Sequence, residues 1–128
     1  MASELKVDKF TGVTTAGSID VVGEGNSTTT NLQQGLAKVW HNSQDNASVN
    51  DSFNVSGSTD NGTGDYSYTF TNAFGNIHPA ISGICTEDDR NAQFVRSRST
   101  DNYRVRHYGH DDAYADMSNA GQLHGDLA

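Results

Sequence analysis

The sequence has few cysteine and proline residues and no long apolar run. Its one cysteine, Cys85, excludes an intrachain disulfide, and the apolar residues Ile81 and Ile84 nearby indicate that it is a small buried hydrophobe. Pro79 is the one proline. No apolar run approaches the roughly 18 residues of a membrane span, and no basic segment precedes an apolar one as in a secretory leader. We therefore expect synthesis in the cytoplasm and no membrane insertion.

Basic residues are also scarce. The chain has 8 Lys and Arg against 16 Asp and Glu, which gives a formal net charge of −8. Nucleic acids and anionic membrane surfaces bind a basic face, so this balance argues against both as partners. The positive charge is unevenly placed, because all five arginines lie between Arg90 and Arg106.

Apolar side chains are sparse as well. They make up 34% of the 128 residues, and the mean hydropathy is −0.65. This is little for a chain that has to bury a core alone, so we expect it to oligomerise and to share a core between subunits. Thirteen glycines and many Ser, Thr, Asn and Asp residues favour short strands and tight turns over helices.

Residues 1–35 differ in pattern from the rest. Apolar and polar residues alternate over 5–10 and briefly over 18–22, and residues 23–31 are rich in Gly, Ser and Thr. Two short alternating stretches without a third strand cannot form a stable sheet. We expect an extended N-terminal arm for anchoring or trimerisation, in which the anchoring side chains are Leu5, Val7 and Phe10.

Residues 36–128 are predicted to form a β domain. Asp60-Asn61-Gly62-Thr63-Gly64 supplies a hairpin turn, because Asn-Gly provides the positive φ angles that a tight turn needs. Pro79 indicates an edge strand or a bulge. The pattern predicts an all-β fold, a small antiparallel meander that forms a sandwich or an open barrel, with strands over residues 37–41, 52–57, 65–72, 77–85, 92–98, 102–108 and 116–127.

Aromatic residues mark the strongest of these strands. Tyr66, Tyr68 and Phe70 share one face at period two, which is typical of the core-facing side of a strand. Trp40 lies on one face of an earlier strand, opposite to Val39. We expect Trp40 and this stripe to belong to the core or to an inter-subunit core, and the alternative is a platform on which sugars stack.

Four arginines lie on a predicted hairpin. The two arginines of each strand are two residues apart and therefore point to the same side of that strand. This spacing would place their positive charges on one face of the hairpin. Because the rest of the chain is acid-rich, for example over residues 87–89, we expect inter-subunit ion pairs and not phosphate binding from Arg96, Arg98, Arg104 and Arg106.

One segment, residues 107–112, is dense in metal-type ligands. On a strand His107 and His110 face apart, so a polar loop is favoured over a metal site. The Asp60–Asp65 segment echoes one turn of a calcium-binding repeat, but such repeats stack several turns, so a hairpin turn is favoured there too. We expect no metal and no cofactor, and the candidate receptor-contact residues are Tyr108, His110, Asp111 and Asp112.

Catalytic motifs are lacking. The sequence has no nucleophile elbow, no zinc-ligand spacing and no phosphate loop. We assign no catalytic residue and expect that the chain is not an enzyme.

Three segments carry a family resemblance: Gly35-Leu36-Ala37-Lys38-Val39-Trp40, Asp51-Ser52-Phe53-Asn54-Val55-Ser56, and residues 60–74 with the motifs DNGTGDY and TNAF. In this order they resemble a module in virion fibre proteins of tailed bacteriophages, especially marine ones. Residues 3–8 and 125–128 resemble the way such chains begin and end, so we expect a complete small protein.

The resemblance implies a structural virion protein, most simply a short trimeric tail fibre or appendage. Its partners would be its own copies and other tail, portal-proximal or capsid proteins, with a host surface glycan or protein as a further contact. One alternative is a decoration or cement protein on the phage head. Others are a carbohydrate-binding adhesin module that uses Trp40 and the tyrosines, and a polysaccharide-degrading spike, for which the chain is too short.

Overall fold

The computed structural model describes residues 4–12, 19–23, 28–86, 92–109, 111 and 113–127. Its contacts divide the chain into two compact units, Met1–Leu36 and Ala37–Ala128. The sequence predicted a division between residues 35 and 36.

The first unit is built from short elements. Strands β1 (Asp20–Val22) and β2 (Thr29–Asn31) pair antiparallel, and one helical turn, α1 (Leu32–Gly35), follows. Among the residues of this unit whose burial is described, none is buried. Ile19 and Leu32 are half-buried, and the exposed large apolar side chains are Leu5, Val7, Phe10, Val21, Val22 and Leu36.

In the described residues of the second unit, eight strands form two four-stranded antiparallel sheets. Sheet I has the order β4-β3-β10-β7, and sheet II has the order β5-β6-β9-β8. The strands are β3 (Val39–Ser43), β4 (Val49–Phe53), β5 (Val55–Asp60), β6 (Asp65–Phe70), β7 (Ala80–Cys85), β8 (Ala92–Arg98), β9 (Asn102–Tyr108) and β10 (Asn119–His124).

The all-β, antiparallel prediction is confirmed, but the meander is wrong. Hairpin β3–β4 lies in sheet I, and hairpins β5–β6 and β8–β9 lie in sheet II. Strand β7 returns to the edge of sheet I, and β10 inserts between β3 and β7. In a meander each strand pairs only with the strands next to it along the chain. Strand β10 instead pairs with β3 and β7, and neither of these is next to it in the sequence. The fold is sandwich-like.

One core cluster joins the two sheets. Sheet I contributes Val39 and Leu123, both with 0% exposure. Sheet II contributes most of the volume through its inward-facing aromatic and apolar residues, which are Tyr66, Tyr68, Phe70, Tyr103 and Val105. Aromatic residues therefore supply much of the buried area that a chain with few aliphatic residues needs.

Asn54 is the point where the chain leaves sheet I for sheet II. The sequence predicted one strand over residues 52–57, but β4 ends at Phe53 and β5 begins at Val55. Asn54 has a φ of 60°, a left-handed conformation that asparagine tolerates better than most residues. Its side chain fixes the corner, because Oδ1 accepts a 2.7 Å hydrogen bond from the backbone N–H of Asn72 and Nδ2 donates to two carbonyls.

Candidate functional site

A groove on the outer face of sheet I has a volume of about 530 Å³. We call it the Trp40 groove. It crosses the three strands β3, β10 and β7 and is lined by Trp40, His41, Asn42, Ser82, Gly83, Ile84, Ala120, Gly121 and Gln122. Its volume falls within the range of small-molecule sites.

Strand register arranges the groove in two rows. Trp40 lies opposite Phe53 on one side and Gln122 on the other, and Gln122 lies opposite Ser82. The second row runs from Asn42 through Ala120 to Ile84 in the same way. Side chains at directly opposite positions have Cβ atoms about 4.5–5.5 Å apart, so each row is continuous.

Hydrogen bonds hold one wall of the groove. Asn42 Oδ1 accepts a 2.9 Å hydrogen bond from Asn50 Nδ2, and Asn50 Oδ1 accepts one of 2.8 Å from Gln44 Nε2. The amide chain fixes the Asn42 side chain and leaves its Nδ2 to donate to a ligand.

A buried polar layer lies beneath the groove. The His41 ring stacks on Tyr68 with 3.8 Å between ring centroids. His41 Nδ1 is hydrogen-bonded to Ser43 Oγ at 2.9 Å, and His41 Nε2 to Tyr103 Oη. Because burial disfavours the imidazolium and His107 opposes it electrostatically, the pKa of His41 falls to about 4.

This depressed pKa predicts that mild acid weakens the fold, beginning at a pH above the range in which most carboxylates titrate. In the unfolded chain His41 is protonated below its usual pKa of about 6.5, whereas in the folded chain it stays neutral down to about pH 4. The contribution of neutral His41 to the free energy of unfolding is therefore fully present above about pH 6.5. The free energy of unfolding falls by up to about 3 kcal/mol between pH 6.5 and 4. Urea unfolding measured across this range should show the loss.

The variant His41→Gln is the control, since an amide keeps hydrogen-bonding groups and takes up no proton. Its stability should change less with pH over the same interval, and the difference between the two curves isolates His41 from the four other histidines. Parallel curves for the two proteins would show that His41 does not carry the effect.

A second cluster lies on the outer face of sheet II. Asp65 begins β6 opposite Arg106 on β9. Its Oδ2 accepts hydrogen bonds from Arg96 Nη1 at 2.7 Å, Arg104 Nη2 at 2.9 Å and Arg106 Nε at 2.8 Å, and its Oδ1 accepts one from Arg104 Nε. We call these four residues the Asp65 cluster.

The Asp65 cluster carries more positive than negative charge. The hydrogen bond from Arg104 is the largest cause that lowers the pKa of Asp65, and Arg106 adds to it against the opposing effect of burial. Three guanidinium groups thus surround one ionised carboxylate. The Asp65 side chain is 8% exposed, whereas those of the arginines are 30–40% exposed, so the anion is enclosed and the cations reach solvent.

Aromatic residues border the Asp65 cluster. The Arg106 guanidinium lies 4.7 Å from the centroid of the Tyr114 ring and donates a 2.7 Å hydrogen bond to Tyr114 Oη. Tyr108 contacts Tyr114 and Phe94, at centroid distances of 4.5 and 5.9 Å. This contact holds the end of β9, where the sequence predicted a receptor contact.

The structure separates the aromatic residues that the sequence grouped. Tyr66, Tyr68 and Phe70 are buried within one chain, so the tyrosines do not contact a glycan. Trp40 is 37% exposed, which corrects its assignment to the core of one chain. The alternation in β3 places Val39 and His41 inward and Trp40 outward.

Three of the four arginines have an acidic partner within the chain. Arg96, Arg104 and Arg106 pair with Asp65, and the inter-subunit ion pairs stay a prediction. Arg98 does not share their face, because a register shift between Val95 and Ser97 sets it opposite the inward-facing Tyr103. The acidic residues 87–89 lie outside the described residues.

The predicted receptor loop is described only in part. His110 and Asp112 lie outside the described residues, and Asp111 is exposed, with its Oδ1 accepting a hydrogen bond from the Ala113 N–H. His107 is fully buried on the inner face of β9. Among the residues that the structure describes, no group of three or more His, Cys, Asp or Glu side chains is placed to hold a metal ion.

Sequence reasoning missed Phe53 and Asp65 as site residues. Phe53 was assigned to a strand with Val55, and this concealed its position beside Trp40. Asp65 has the opposite parity to Tyr66 and Tyr68, so it lies on the face of β6 away from the predicted core-facing stripe. This position of Asp65, on the same face as the predicted arginine cluster, was the signal that could have identified it as a site residue.

Comparison with known proteins finds no matching family model, no matching curated protein and no matching solved structure. Over the described residues, no helix is long and apolar enough to cross a membrane.

Proposed function

We propose that this chain is a structural virion protein of a tailed bacteriophage, most simply a short trimeric tail fibre or appendage, with no catalytic role. In this proposal residues 1–36 attach the chain to its copies and to other virion proteins, and the β-sandwich projects toward a host surface.

The exposure of the first unit carries the proposal. Leu5 is 74% exposed and Phe10 is 61% exposed. Ordering each residue costs roughly 1–2 kcal/mol of backbone entropy, which such exposed apolar side chains do not offset within one chain. Burial against sister copies or a docking site would supply the missing stabilisation, and short strands can also extend a partner's sheet.

The segments that resemble phage fibre proteins support the proposal and acquire structural roles here. Asn54 makes the corner between the sheets, Gly64 closes the turn before β6, and Asp65 organises three arginines. Trp40 is different, because it lies on the outer face of sheet I. The resemblance therefore concerns both the construction of the sandwich and one of its surfaces.

Deleting residues 2–30 is expected to leave a folded β-sandwich that no longer enters the particle. The eight strands described for the second unit begin after residue 36, so the truncated chain keeps every residue of the core cluster. Circular dichroism and thermal unfolding of the truncated chain test the fold. Immunoblots of purified virions carrying tagged variants test incorporation.

Two further variants sharpen this test. Leu5→Ser, Val7→Ser and Phe10→Ser combined should reduce incorporation without shortening the chain, and Asp111→Asn, in an exposed loop of the sandwich, should leave incorporation intact. Normal incorporation of the truncated chain would place the anchor in the sandwich and favour a decoration protein on the phage head.

A second candidate function is a carbohydrate-binding adhesin module. The Trp40 groove favours it, because an exposed tryptophan lies among amide and hydroxyl side chains on a rigid sheet. This candidate is compatible with a fibre, since a fibre that contacts its host needs such a surface.

A further inference from the structure

The Trp40 groove combines two kinds of surface in a small area. Trp40 and Phe53 are paired across strands on the outer face, and Phe53 is 52% exposed. Next to them, Gln122 and Ser82 continue the same row with an amide and a hydroxyl. The aromatic side chains therefore lie one strand away from side chains that can donate and accept hydrogen bonds, and neighbouring strands are about 4.8 Å apart.

We propose that the Trp40 groove is a binding site for a neutral saccharide. The proposal deepens the host-contact role proposed above by naming the class of ligand, and it rests on that function only for its biological setting. A pyranose ring presents apolar C–H groups on its faces and hydroxyl groups around its rim. It fits a site with an aromatic face and nearby amide and hydroxyl groups.

Each part of the groove matches one part of such a ligand. The Trp40 ring, extended by Phe53, is the stacking surface. Gln122 offers an amide group that can both donate to and accept from sugar hydroxyls, and Asn42 offers its Nδ2 as a donor. Ala120 occupies the centre of the second row, where a small side chain leaves space for a ring above the sheet.

The groove favours a neutral ligand because none of the described residues lining it is charged. His41, the one titratable group in the lining, is buried and has a pKa of about 4, so it is neutral above that pH. The chain has a formal net charge of −8, which repels anionic polysaccharides. The excess positive charge of the Asp65 cluster lies on sheet II and does not line the groove.

The groove is also organised before a ligand arrives. Its side chains stand on three hydrogen-bonded strands, and the amide chain from Gln44 through Asn50 holds Asn42. Little conformational freedom is left to lose on binding, which raises the affinity that a few contacts can give.

Trp40 is the only tryptophan of the chain, so its fluorescence reports directly on the groove. The experiment titrates the full chain with maltohexaose, cellohexaose, mannohexaose and chitohexaose, with heparin-derived hexasaccharide as an anionic comparison. We expect at least one neutral hexasaccharide to shift Trp40 emission with a Kd of about 0.1–1 mM. The anionic oligosaccharide should leave the emission unchanged.

Isothermal titration calorimetry then compares variants for the responding sugar. Trp40→Ala should weaken binding at least about tenfold, and Gln122→Ala should weaken it about threefold to tenfold. Phe94→Ala is the matched control, because Phe94 is 55% exposed on the opposite sheet. It should bind like the unsubstituted chain. Gln122 is exposed, so its variant also serves if Trp40→Ala folds poorly.

Two results would overturn the proposal. The first is the absence of any fluorescence or calorimetric response to the neutral panel at millimolar sugar. The second is a change of oligomeric state for Trp40→Ala in analytical ultracentrifugation, which would make the groove a contact between copies. Neither result bears on virion incorporation, so the proposed function stands or falls separately by the particle immunoblot.

Discussion

Gly64→Ala is expected to destabilise the sandwich by at least about 3 kcal/mol, because the new methyl group would overlap backbone that cannot move aside. A Cβ at this position would lie 2.7 Å from the carbonyl oxygen of Ala115 and 2.9 Å from the carbonyl oxygen of His107. The φ of Gly64 is +63°, which adds roughly 1 kcal/mol of strain for an L-residue. Urea unfolding measures the loss.

Gly57→Ala is the matched control for this prediction. A Cβ at Gly57 would meet nothing within 4 Å, so the unfolding free energy should change little. Gly64 also fixes two partners through its backbone, because its carbonyl accepts from the His107 N–H and its N–H donates to Asp116 Oδ1. Equal stability of the two variants would show that the backbone around Gly64 relaxes.

Asp65→Asn is expected to lower stability by about 2–4 kcal/mol, because it removes the one anion that three guanidinium groups share. The asparagine amide would also turn two hydrogen donors toward cationic donors. The cost is near the lower end for a buried ion pair, because the arginines are partly exposed and solvent screens them. Thermal and urea unfolding measure it.

The electrostatic origin can be separated from packing. Adding 1 M sodium chloride should restore part of the stability of Asp65→Asn, since salt screens the mutual repulsion of the arginines. Adding Arg104→Gln to the same variant should cost less than it does alone, as expected for residues in one network. The exposed Asp51→Asn serves as the control, and a salt-independent, additive loss would contradict the electrostatic account.

Local patterns were sufficient to predict part of this fold. The strand after the Asp60–Gly64 turn was recognisable because Tyr66, Tyr68 and Phe70 repeat at period two behind an Asn-Gly turn. The structure has that hairpin and buries that stripe.

Other features depend on relations that no local pattern contains. Alternation placed Val39 and Trp40 on opposite faces, but only the packing of sheet II against sheet I decides which face is covered. The change of sheet at Asn54 depends on a left-handed backbone and on hydrogen bonds from Asn72, 18 residues away. Phe53 joined the candidate site only through its register with Trp40.

The placement of β10 sets the order in which the molecule can be built on a ribosome. Ser43 pairs with Asn119, which is synthesised 76 residues later (119 − 43), and Cys85 pairs with the same asparagine. Until β10 emerges, β3 and β7 have no common neighbour and the outer face that carries Trp40 is not formed. Such distant pairing is typical of slow folding. A nascent chain therefore presents no finished groove to its surroundings, and that surface comes into existence only with the last strand.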